Sequence, residues 1–131
     1  MSAESEIRTP TAAPKDKTTI GLTPKARSVA ERLQRNEGLG DLMDVALLGF
    51  AVAVNVRVGL GNAREAGTTW NVGTFDSSGQ VRDLVSALYD DLSAPYRQVE
   101  FLVNEGLERL GAEYEGAESS TSLAVTLKRY S

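Results

Sequence analysis

The sequence predicts a mostly α protein with short β-strands, an α+β domain. Its first half reads strand, helix, helix, and its second half reads as a helical hairpin. Three observations carry this. Residues 18–22 alternate in polarity and run straight into Thr23-Pro24, a helix start. Residues 42–56 are apolar on nearly every side. Residues 81–110 hold two successive apolar stripes at helical spacing, divided by Ser93-Ala94-Pro95.

The elements follow in order. Met1 to Lys17 has no apolar core, carries Pro10 and Pro14, and reads as a solvated tail rather than a signal segment. A single domain is expected over 18–131. In the strand at 18–22, Ile20 and Leu22 take one face, while Thr19, Gly21 and Thr23 take the other. Thr23 supplies an N-cap hydroxyl and Pro24 the first helical position. The helix that follows carries Ala26, Val29, Ala30 and Leu33 as its stripe, and Gly38 is placed to end it in a left-handed cap. Asp41 caps the next helix, from Leu42 to about Val56, with Asp44 suited to its positive end. That helix shows no polar side. Buried cover is therefore required, and a second copy of the chain is the expected cover.

Beyond residue 58, Gly59, Gly61 and Gly67 mark a hinge. No Gly-Lys-Ser/Thr follows them, so a phosphate loop is not indicated. Thr68 to Phe75 is a second candidate strand, in which Trp70 is expected to seal a small core rather than stack a ligand. Asp76-Ser77-Ser78-Gly79 is turn chemistry. Val81, Leu84, Val85, Leu88, Tyr89 and Leu92 form one helical stripe. Tyr96, Val99, Leu102, Val103, Leu107 and Leu110 form the next. The second unit is thus a strand plus helical hairpin over 68–116. Residues 117–131 read as a tail or an edge strand, because Leu123, Val125 and Leu127 alternate.

Composition narrows the chemistry. The chain has 131 residues, no cysteine and no histidine. Disulfides and thiol catalysis are excluded, and the commonest general base and metal ligand are missing. No catalytic residue, metal site or cofactor is expected; Asp76, Asp83, Asp90 and Asp91 are better used at turns and helix ends than on a hard cation. The net charge of −4 is uneven. Residues 19–60 carry five bases and four acids, net +1, whereas residues 61–131 carry six bases and eleven acids, net −5. A DNA-facing surface would therefore belong to the first half. The longest uncharged apolar run, Val45 to Val54, is too short to span a bilayer. A cytoplasmic protein without membrane contact is expected.

Thr19-Ile20-Gly21-Leu22-Thr23-Pro24, followed by a helix, a glycine break and an apolar helix, resembles the ribbon-helix-helix family over residues 18–56. In that family strands from two chains pair as a ribbon that enters the DNA major groove, and the helices interlock as a dimer. The resemblance implies that Thr19, Gly21 and Thr23 face the bases. It also implies that the backbone near Gly40 and Asp41 sits by a phosphate. Ile20, Leu22, Leu47, Leu48, Phe50, Val52 and Val54 would form the oligomer interface. Thr, Gly and Thr cannot make the bidentate contacts that read guanine or adenine, so weak sequence specificity is implied. The short helix and the Ala- and Leu-rich helix after it also look similar to DndE-type accessory proteins of DNA-modification and phage-defence systems.

Lys25, Ser28, Arg32 and Arg35 share one side of the first helix, within about 80° at the helical repeat. With Lys15 and Lys17 they would form a phosphate-contacting patch, diluted by Glu31 and Glu37. The expected function is a non-catalytic, DNA-associated regulatory or accessory subunit acting as a dimer or larger homo-oligomer. The alternative is a protein-assembly adaptor of a multicomponent system that recruits a protein partner without touching DNA.

Overall fold

A computed structural model of the chain describes residues 16–90, 92–115 and 127–128. The elements are β1 (Thr19–Leu22), α1 (Pro24–Glu37), α2 (Leu42–Asn55), β2 (Gly67–Asn71), the single turn α3 (Val72–Phe75), α4 (Gln80–Leu88) and α5 (Pro95–Glu115). Among the described residues the fold is mostly helical, with one two-stranded antiparallel sheet. The Leu123 and Val125 positions of the expected edge strand lie outside the described residues. Leu127 is helical and packs at the margin of the core.

The helix boundaries follow from local chemistry. Thr23 Oγ1 accepts the Ala26 amide at 3.1 Å, and Gly38 closes α1 at φ 63°. Asp41 and Asp44 form a reciprocal capping box on α2, each carboxylate accepting the other's amide at 3.0 Å. Asp76 caps α4, accepting the Val81 and Arg82 amides at 3.0 Å. Asp16 does the same for α5, accepting the Tyr96 amide at 3.1 Å and the Arg97 amide at 3.2 Å. Residue 16 therefore belongs to the folded unit rather than to a tail.

The central helix α2 is covered by its own chain. It packs chiefly on α5, and α1 covers a further part. The two helix axes approach closely because glycines meet. A methyl group added to Gly106 would collide with the Gly49 carbonyl, and one added to Gly49 would press on Leu107 and the Val103 carbonyl. Val45, Ala46, Gly49, Phe50, Val52 and Ala53 are thus buried without a second copy. This corrects the expectation that a partner chain is needed to bury the helix. Among the expected interface residues, Ile20, Leu22, Phe50 and Val52 are 0 to 6% exposed inside the chain's own core. Only Leu47, Leu48 and Val54 remain half-buried, and they too pack against this core from the margins of the helix's buried face.

The strand pairing is also internal. β1 pairs with β2 of the same chain, Ile20 opposite Trp70 and Leu22 opposite Gly67, with an irregularity between Ile20 and Gly21 that leaves Thr69 as the extra residue. Trp70 is half-buried and tilts onto Phe75 at 5.5 Å between ring centroids, sealing that end of the core as expected. The expected strand at 68–75 stops at Asn71, because Val72 to Phe75 turn helical and bury Phe75.

Candidate nucleic-acid interface

The residues expected to meet DNA come from β1 and α1, and α5 decides which of them are available. The other edge of β1 is closed by polar side chains of α5. Glu100 Oε2 accepts the Gly21 amide at 2.9 Å. Asn104 accepts the Thr23 amide at 2.7 Å and donates to the Gly21 carbonyl at 3.0 Å. Glu108 accepts the Thr23 hydroxyl at 3.2 Å. The match is geometric. Four residues of helix rise about 6 Å and two residues of strand advance about 6.6 Å, so an i, i+4, i+8 row can follow alternate strand positions. α5 thereby takes the place of a third strand.

This arrangement corrects the expectation for Gly21 and Thr23 and leaves Thr19 only partly accessible. Gly21 is buried and lies against Gly67, so it faces neither solvent nor a base. Thr23 is spent on capping α1 and on Glu108. Thr19 is half-buried in the ladder opposite Asn71. With β2 on one edge of β1 and α5 on the other, the strand has no free edge for a ribbon with a second copy. The amides at Gly40 and Asp41 are likewise no phosphate site, since the carboxylates of Asp41 and Asp44 occupy that helix end.

The cations divide by accessibility. Lys15 lies outside the described residues. Lys17 pairs with the buried Glu100 at 3.2 Å and is committed to the fold. Lys25, Ser28 and Arg35 are exposed and Arg32 is half-buried, on the side of α1 opposite its buried Ala26, Val29, Ala30 and Leu33. Lys25 stands 3.9 Å from Glu108, with 73% of its side chain exposed. Arg27, on the flank toward the sheet, pairs with Glu31 at 3.5 Å and donates to Thr69 at 3.2 Å. α1 thus presents a short basic row whose neighbours are partly acidic.

Two grooves adjoin these elements. One, of about 430 Å³, runs between the start of α1, the loop at 62–65 and α5. Its lining includes Phe101 with the charged Lys25, Arg64, Glu65, Glu105 and Glu108. The other, of about 460 Å³, lies between the end of α2 and the end of α4 and is lined by Val54, Val58, Leu88, Tyr89 and Arg57. The Tyr89 hydroxyl donates to the Val58 carbonyl there. Among the described residues, the large exposed apolar side chains are Val56, Leu60, Leu84 and Leu88, and Leu88 lines this second groove. Among the described residues, no three His, Cys, Asp or Glu side chains gather to hold a metal ion. No helix among them is long and apolar enough to cross a membrane.

Sequence reasoning missed Gln98, Glu100 and Asn104, which are 2 to 4% exposed. Gln98 holds the α2–β2 loop, accepting the Gly61 amide at 3.1 Å and donating to the Gly59 carbonyl at 3.0 Å. A signal was present in Glu100, Asn104 and Glu108, a polar row at helical spacing on the flank of an otherwise apolar stripe. In comparisons with known proteins, no family model, no curated protein and no solved structure matches the chain.

Proposed function

We propose that this chain is a non-catalytic accessory subunit that associates with double-stranded DNA through the outward row of α1. The observation that carries this is the row itself. Lys25, Arg32 and Arg35 stand on the side of α1 opposite its buried stripe, in the half of the chain with positive net charge. Such a surface meets phosphate, not base edges, and its binding is sequence-tolerant. Burial of Gly21 and the commitment of Thr23 to capping α1 and to Glu108 support the same restriction. Two copies acting together would double the contact, and exposed Ala51 with the parts of Leu47, Leu48 and Val54 that the core leaves uncovered is where α2 of a second copy would pack. The order of strand, helix and helix is all that supports the ribbon-helix-helix-like and DndE-like resemblance, and a cytoplasmic role in DNA modification or phage defence is proposed on that resemblance. Without a ribbon, however, the mode of DNA contact would differ.

The test is binding to random-sequence duplex over a range of salt. The affinity should fall steeply as salt rises, because phosphate contacts release counterions. Absence of binding at low salt sinks this reading. The second reading, an adaptor without DNA contact, is favoured by exposed Leu84 and Leu88 beside the α2–α4 groove, since an exposed apolar patch of this kind marks a protein contact.

A further inference from the structure

Glu100 and Glu108 each hold a lysine of the first half, but in different settings. Glu100 has 5% of its side chain exposed and binds a backbone amide as well as Lys17, so that pair is part of the fold. Glu108 is 30% exposed. One of its oxygens accepts the Thr23 hydroxyl at 3.2 Å, and the other faces the Lys25 ammonium at 3.9 Å. That separation exceeds a hydrogen bond, and the lysine is open to water, so the pair is weak and readily exchanged.

We propose that Glu108 competes with DNA phosphate for Lys25, so that the acidic edge of α5 sets how strongly α1 holds a duplex. This rests on the DNA reading above. A phosphate arriving at the α1 row must draw Lys25 away from Glu108. The carboxylate, anchored by Thr23, then stays beside the phosphate and repels it. Neighbouring charges do not relieve this. Glu105, one turn earlier on α5, is itself acidic and engages Arg109 at 3.3 Å. Arg64 and Glu65 add one charge of each sign to the groove lining and leave its balance unchanged. The contact is therefore self-limiting: the protein samples DNA weakly and releases it unless a partner covers or neutralises the α5 edge.

The experiment compares wild type, Glu108→Gln, Asp90→Asn and the double variant Lys25→Ala with Glu108→Gln on one random-sequence duplex at low salt. Gln retains an oxygen to accept from Thr23 and removes only the charge. Asp90→Asn makes the same change of net charge at the exposed end of α4. Glu108→Gln should bind roughly two- to fivefold more tightly, the range expected for one exposed ion pair. Asp90→Asn should gain much less, and most of the Glu108→Gln gain should vanish when Lys25 is absent. Equal gains from Glu108→Gln and Asp90→Asn would reduce the effect to net charge and overturn the proposal. So would a full gain that persists without Lys25. Wild type that binds, with Glu108→Gln no tighter, defeats this inference and leaves the DNA reading standing. If neither wild type nor Glu108→Gln binds, both are overturned.

Discussion

Gly106 is the residue on which the packing of α2 against α5 turns. Its missing side chain lets the Gly49 carbonyl sit where a methyl would be, and both atoms belong to backbone that cannot rotate away. Gly106→Ala should therefore lower stability by about 3 kcal/mol, the upper range for overpacking, read as a lower urea midpoint. Helix propensity alone would favour Ala here, so a stabilised variant would contradict the packing account. Two tyrosines report on the folded state in another way. Partial burial, and then its hydrogen bond to Asp76 at 3.0 Å, raises Tyr96 above its ordinary 10.0. A hydrogen bond to Glu37 at 2.7 Å, and then burial, raises Tyr114 likewise. Folding favours the protonated phenol in both. Their contribution is complete below the unfolded value near 10 and is lost as pH rises through the higher folded value. Alkaline titration followed by ultraviolet absorbance should show a late-ionising fraction that shrinks in Tyr96→Phe and again in Tyr114→Phe.

At the scale of elements, α4 stands apart. Only Val85 of its nine residues is buried, whereas α5 buries a stripe along most of its length. Its anchor is Asp76, which caps it and ties it to Tyr96. In hydrogen exchange the α4 amides should open well before those of α2 and α5, and Asp76→Ala should speed α4 without changing the α2 rates. Uniform exchange across the three helices would contradict this. The contrast also shows what could be read from the residues alone. α1 and α2 were legible because Thr23, Pro24, Gly38 and Asp41 state their ends locally. α5 was legible as an amphipathic stripe, but its polar flank was not, since Glu100 and Asn104 find their partners about eighty residues away on β1. The cover of α2 is not legible in the sequence for the same reason. Periodicity shows that a helix must be covered, and it does not say by which chain. Val72 to Phe75 have residues suited to a strand, and the burial of Phe75 draws them into a helical turn instead.

The whole molecule sets a small basic row against a larger acidic half. Lys17 is held by Glu100, and Lys25 is opposed by Glu108. On the DNA reading, phosphate would meet the outer face of α1, which a second copy would duplicate. Sedimentation should give a dimer at micromolar concentration, and Leu48→Asp on α2 should give a folded monomer. A wild-type monomer at that concentration would remove the dimer from the account. The most direct test of DNA association is the anisotropy of two labelled duplexes of unrelated sequence, titrated at low salt with wild type and with Lys25, Arg32 and Arg35 all replaced by alanine. Wild type should bind both duplexes alike, and the triple variant should lose affinity on both by the same factor. Binding that survives the triple substitution, or that is absent from the wild type, would contradict DNA association through α1.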